Sequence, residues 1–197
     1  KKINPNQKVI VSPAFRFYSI YNKFSYCPDF NFYTILILLP INIESSFRIL
    51  KSINYYINKN KSSKIRVWVR PHPTMDSKVI NKLLFKFSNI FEVKNDDIST
   101  ILSKTNVLIG SMTSGCLEAM GLGIPVVVLE QPYGLSAIPK EIPEEFWKFC
   151  KSDDEISIAI DNFKNSVNKN KDISYFIREN YFEQVTRDSI KKFLELK

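Results

Sequence analysis

Residues 105–128, Thr-Asn-Val-Leu-Ile-Gly-Ser-Met-Thr-Ser-Gly-Cys-Leu-Glu-Ala-Met-Gly-Leu-Gly-Ile-Pro-Val-Val-Val, decide how this chain folds. Asn106–Gly110 is an apolar run of strand length. A loop of small hydroxylated residues follows, then a helical stretch over 114–122 and a second apolar run over 125–129. Both runs are apolar on both faces. Two such strands joined through a helix are the unit of a parallel sheet covered on each side.

The same alternation extends outward. Upstream, Tyr33–Leu39 is a buried-strand run ended by Pro40, and Ile43, Phe47, Leu50, Ile53 and Ile57 recur at helical steps. Residues 64–70 alternate, with Ile65, Val67 and Val69 on one face and Arg66, Trp68 and Arg70 on the other. Asp76 is placed to cap a helix whose inner face is Val79, Ile80, Leu83, Leu84 and Phe87. A strand over 90–94 and a short helix over 97–103 complete the upstream pattern. Downstream, Ser152 and Glu155 form a capping box for a helix carrying Ile156, Ala159, Ile160, Phe163 and Val167. A last helix is expected over 174–195. The fold class is therefore α/β, a Rossmann-like parallel sheet with helices on both faces and an extra C-terminal helix. Residues 1–32 form an N-terminal strand (8–12) and an aromatic loop facing a ligand or a neighbouring domain. Residues 33–170 form the Rossmann-like domain, and 171–197 a helix packed on it.

Composition narrows the function classes. The chain has 197 residues, 44% of them hydrophobic and 24% charged, which suits one ordered domain rather than a disordered segment. It opens on Lys1 rather than methionine, so a segment of something longer is expected. Three scattered cysteines (Cys27, Cys116, Cys150) and one histidine supply neither a disulfide framework nor a common zinc site. Reduced thiols and a cytoplasmic setting are the simplest reading. No apolar run approaches the roughly 20 residues of a membrane span. The net charge of +8 is spread along Lys/Asn-rich tracts. It is compatible with a solvated surface or with attraction to anionic membrane or phosphorylated substrate. Without a basic helix or an RNA-binding signature, it does not argue for nucleic acid.

In parallel sheets of this kind, ligands bind beyond the carboxyl ends of the strands. Three features stand there. After the strand ending at Arg70 comes Pro71-His72-Pro73, holding the only histidine between two prolines that stiffen the backbone. An imidazole so held can hydrogen-bond a phosphate or protonate a leaving oxygen, and the Arg70 guanidinium matches phosphate oxygens. The plainer alternatives are a turn histidine bonded to its own loop and a surface arginine beside Trp68. After Gly110, the loop Ser111-Met112-Thr113-Ser114-Gly115 opens onto a helix, whose dipole places about half a positive charge at its start. Ordinary N-capping is the alternative, although three hydroxyls and a glycine exceed what a cap needs. The loop lacks a P-loop lysine and does not match Gly-x-Gly-x-x-Gly. Glu118, one turn on and expected to be partly exposed, could accept hydrogen bonds from vicinal ribose hydroxyls or simply favour the helix dipole. Asp96-Asp97 and Asp153-Asp154 read as helix caps, and no Asp-x-Asp metal pair is present, so no metal site is expected. Glu130, Gln131, Tyr133 and Gly134 follow the 125–129 strand as candidates to line a sugar pocket.

Taken together, residues 105–128 resemble the donor-site signature of GT-B-fold glycosyltransferases, the specific part being Leu-Glu-Ala-Met-x-x-Gly-x-Pro-Val-Val at 117–127. The order strand, Arg-Pro-His-Pro, helix, Ser/Thr loop is similar to the group with a His-Pro motif. That group includes capsule sialyl- and Kdo-type transferases and CDP-glycerol glycerophosphotransferases. The likeness spans roughly 33–165. It implies the donor-binding half of a metal-independent transferase acting in bacterial surface polysaccharide synthesis. The substrate would be a CMP-, CDP- or UDP-activated sugar or polyol, with no cofactor. The acceptor half would lie in another domain or partner, and the protein at the inner face of the membrane. His72 would contact the donor phosphate, Thr113 and Ser114 would be the hydroxyl pair, and Glu118 the ribose-binding glutamate. Many retaining members carry a further glutamate eight residues before the latter, where this chain has Gly110. A UDP-sugar 2-epimerase-like enzyme and a non-catalytic nucleotide-binding module are the rival readings.

Overall fold

The strand Tyr33–Leu38 (β1) is apolar on both faces, and in the computed structural model it is the third strand of a six-stranded sheet, buried from Thr34 to Ile37. The structure describes residues 12–18, 27–29, 31–61, 64–87, 90–111, 113–130, 138–165 and 170–195. The other strands are Ile65–Arg70 (β2), Phe91–Val93 (β3), Val107–Gly110 (β4), Val126–Leu129 (β5) and Trp147–Cys150 (β6). All pair in parallel, in the order β3-β2-β1-β4-β5-β6. The Asn106 carboxamide accepts the Thr34 N–H at 2.7 Å, just where β1 meets β4.

The described residues form seven α-helices: Ile43–Lys59 (α1), Ser77–Leu84 (α2), Ile98–Ser103 (α3), Gly115–Gly121 (α4), Asp153–Asn165 (α5), Asn170–Tyr181 (α6) and Arg187–Leu194 (α7), of which α7 has no buried residue. Successive side chains of a strand face opposite sides, and two cores result. Ile35, Ile37, Val67 and Val69 pack with Ile49, Leu50 and Ile53 of α1 and Ile156 and Ile160 of α5. Leu36, Trp68 and Leu108 pack with Leu102, Met120 and the α6 residues Ile173 and Ile177. Trp68 thus belongs to a second core, only 6% exposed, with its indole N–H donated to Glu92 at 2.8 Å.

Several expectations are corrected. The inner face of α1 runs through Ser46, Ile49, Leu50, Ile53 and Tyr56, while Ile43 stands exposed in the first turn. Asn42 starts this helix by accepting the Ser45 N–H. Asp153 and Asp154 do not cap α5. The Ser152 hydroxyl accepts the Glu155 N–H, and the Glu155 carboxylate reaches the Lys151 N–H rather than that of Ser152. The two aspartates instead tie α5 to α1, through the Ser52 hydroxyl at 2.6 Å and through Tyr55 and Lys59. The caps expected at Asp76 and Asp97 are present.

Strand β6 was not expected, and the single helix over 174–195 is two. Phe182, 6% exposed, leaves α6 to stack on Phe17 at 4.3 Å, and the Thr186–Ser189 capping box starts α7 afresh. Of the strand expected at 8–12 only Ser12 is described, and Val167 also lies outside the described residues. Among the described residues, no helix is long and apolar enough to cross a membrane.

Candidate functional site

From β1 the sheet grows one way to β2 and β3, and from β4 the other way to β5 and β6. The loops leaving the carboxyl ends of the adjacent strands β1 and β4 therefore diverge and leave a crevice between them. A cleft of about 370 Å³ opens there. Leu38 and Leu39 come from the end of β1, Arg70, Pro71, His72 and Pro73 from the end of β2, and Ile98 from α3. Thr113, Ser114, Gly115 and Glu118 complete it from the β4–α4 turn.

Six of the seven residues expected to carry the site thus share one cleft. Ser111 does not. It is 5% exposed and lies under the loop, its carbonyl accepting the Thr113 N–H at 2.9 Å and the Cys116 thiol at 3.5 Å. Glu130 lies apart, its carboxylate beside Lys151 and its carbonyl accepting from Arg48. Gln131, Tyr133 and Gly134 lie outside the described residues. The apolar lining, Leu38, Leu39 and Ile98, was not singled out from the sequence. The only signal for the first two was their place at a strand end.

The β2–α2 wall is built by a turn. The Met75 N–H returns to the His72 carbonyl at 2.9 Å, with Pro73 at the second position, where its fixed φ is favoured. His72 is exposed, and its Nδ1 lies 2.8 Å from the Thr74 hydroxyl and 3.3 Å from the Thr74 N–H. The bland expectation, a histidine bonded to its own loop, therefore holds for one ring nitrogen, and Nε2 is the other. Arg70 donates to the Asp96 carbonyl, joining this wall to the β3–α3 loop. Asp97 in that loop is held below the usual carboxylate range, chiefly by hydrogen bonding from the Ser99 hydroxyl, with Arg70 adding a smaller attraction.

The β4–α4 wall is built by packing. Ser114 occupies the N-cap with helical backbone angles and no capping bond, so its exposed hydroxyl is not spent on the helix. Thr113 accepts the Gly115 N–H at 3.3 Å instead. A Cβ at Gly115 would sit 2.5 Å from Leu38 Cδ1, so the glycine lets the turn close onto the end of β1. A Cβ at Gly110 would meet Cys116 Sγ at 3.4 Å, an ordinary van der Waals contact. Glu118 is 8% exposed, more buried than expected, on α4, a helix that packs against both the sheet and α6. At its far end, Ser174 and Arg178 of α6 both donate to the Gly121 carbonyl at 2.8 Å. Burial pushes the Cys116 thiol up to about 12 and Cys150 to about 11, so neither offers a thiolate nucleophile near neutrality.

No protein-family model matches the sequence, and comparison with curated proteins returns no match. Solved structures do match in fold. A glycosyltransferase of kitacinnamycin aligns with a TM-score of 0.57 at 12% identity, over 89% of this chain and 44% of its own. The catalytic domain of the Helicobacter pylori cholesterol-α-glucosyltransferase aligns at 0.50 and 19% identity, over 83% of this chain and 99% of that one. A structure assigned as a UDP-N-acetylglucosamine 2-epimerase of Listeria monocytogenes aligns at 0.54 and 15% identity, over 74% and 39%. The chain thus spans less than half the length of two of these three. The architecture is that of the C-terminal half of the GT-B fold.

Proposed function

We propose that this chain is the donor-binding domain of a glycosyltransferase that uses a nucleotide-activated sugar or polyol. The observation that carries the reading is the convergence of Arg70, His72, Thr113, Ser114 and Glu118 in one cleft over the β1–β4 junction. A nucleoside diphosphate has an anionic end and a diol. Arg70, His72 Nε2 and the hydroxyls of Thr113 and Ser114 suit the first, and the Glu118 carboxylate the second. As the bond to the sugar breaks, charge grows on the departing phosphate. Donors fixed around it stabilise that state more than the ground state. The reading assigns this work to side chains rather than to a metal ion. Residues 33–170 are then the donor domain, with 171–197 packed on it. The base that deprotonates the acceptor comes from an acceptor-binding domain or partner. A bacterial surface polysaccharide, the His-Pro group and a place at the inner membrane face belong to the same proposal.

Calorimetry with CMP, CDP and UDP tests it. Binding of one or more is expected, with no transfer by the isolated chain. Failure of all three removes the reading, and robust transfer by this chain alone removes the division of labour. The Listeria neighbour favours a second reading, a UDP-sugar 2-epimerase. Incubation with UDP-N-acetylglucosamine and no acceptor separates the two, because only an epimerase turns it over.

A further inference from the structure

We infer that Thr74 is a positioning residue for His72, fixing Nδ1 as an acceptor so that Nε2, carrying the ring proton, is the nitrogen offered to a donor phosphate. The inference rests on the donor-site reading for its phosphate and on the turn geometry for everything else. The Thr74 N–H lies 3.3 Å from Nδ1 and can only donate, so Nδ1 must be unprotonated to accept it. The Thr74 hydroxyl, 2.8 Å away, then donates as well. A proton on Nδ1 would satisfy the hydroxyl but oppose the N–H, so both contacts are met together only in the Nε2–H form. The arrangement is the imidazole counterpart of an Asx-turn, in which a side chain accepts the N–H two residues on. The turn supports it from behind, with Pro73 setting the backbone and the Met75 N–H closing onto the His72 carbonyl. His72 and Thr74 are both exposed, so packing does not orient the ring. Nε2–H is a donor, which is what a phosphate oxygen needs.

The chain holds one histidine, so labelling it with nitrogen-15 gives two ring signals with no overlap. In the wild-type protein at a pH where the ring is neutral, Nδ1 is expected at the position of an unprotonated acceptor and Nε2 at that of an N–H. Thr74→Ser keeps both donors and should reproduce these signals. Thr74→Val removes the hydroxyl but keeps the backbone N–H, so both signals should move part of the way towards the tautomer average. Affinity for UDP or CDP should fall about three- to tenfold in Thr74→Val, the span of one neutral hydrogen bond, and recover in Thr74→Ser. Affinity for uridine or cytidine, which lack phosphate, should not change. A protonated Nδ1 in the wild type, or unchanged signals in Thr74→Val, overturns the positioning role. Equal losses for nucleotide and nucleoside overturn its action through phosphate. Failure of the wild type to bind any nucleotide sinks the donor reading instead, and the ring signals then decide by themselves whether Thr74 holds His72.

Discussion

The two turns that wall the cleft are held by different physics. The β2–α2 turn is exposed and kept in shape by its own residues, two prolines, a closing N–H and the Thr74 contacts to His72. The β4–α4 turn is anchored by buried Ser111 and Gly115 and kept in shape by what surrounds it: Leu38 against Gly115, Ser111 beneath, and α6 holding the far end of α4. A ligand contact built the first way can be lost without touching the fold. One built the second way shares its residues with the core.

Substitutions can break this contrast. The largest effect is expected from Met120→Ala on α4, fully buried, which should cost about 2–5 kcal/mol in urea unfolding. Pro73→Ala should change stability by no more than about 1 kcal/mol. Comparable losses for the two would abolish the distinction. Next, His72→Ala should weaken binding of a diphosphate nucleotide by about 1.5–3 kcal/mol, leave its nucleoside unaffected, and shift stability by less than about 0.5 kcal/mol. No loss for either ligand would remove His72 from the site. Glu118→Gln should weaken nucleotide binding by about 1–3 kcal/mol as charged hydrogen bonds become neutral ones. An unchanged dissociation constant would return Glu118 to a helix-dipole role.

Two smaller effects sharpen the same contrast. A thiol reagent at pH 8 should modify exposed Cys27 in the native protein and spare Cys116 and Cys150 until urea is added. Native modification of Cys116 would mean that the β4–α4 wall opens readily. The Asp97 carboxyl is depressed in the folded state. It therefore contributes stability that is complete above its ordinary value near 4 and is lost as pH falls through the folded value. Asp97→Asn should flatten that part of the acid unfolding curve slightly, and identical acid limbs would show that the Asp97 charge contributes nothing.

Much of this was legible in the sequence, for physical reasons. Strands buried on both faces, such as Ile35–Ile37 and Val126–Leu129, must be apolar throughout, and they read as such. Strand β6 did not, because Trp147–Cys150 is only four residues long and Lys148 interrupts its apolar residues. Pairing to β5 supplies what the pattern lacks. The break after Tyr181 has no glycine or proline to announce it in the sequence. It is set by Phe182 turning towards Phe17, far away in sequence. In the site, charged and hydroxylated residues at strand ends announced themselves chemically. Leu38, Leu39 and Ile98 could not, since an apolar lining looks like any other core.

The junction of β1 with β4 also has a history in time. Ile35 pairs with Val107, so the centre of the sheet joins segments that are distant along the chain, the kind of contact that slows folding. The β1–α1–β2 unit can pair locally as soon as it exists, and with it come Leu38, Arg70 and His72. Thr113, Ser114 and Glu118 leave the ribosome later and must add β4 against an edge already formed. At synthesis rates of about 5–20 residues per second, a nascent chain spends several seconds with one wall of its cleft complete, and the open edge of β1 is the surface it must keep from pairing with anything else.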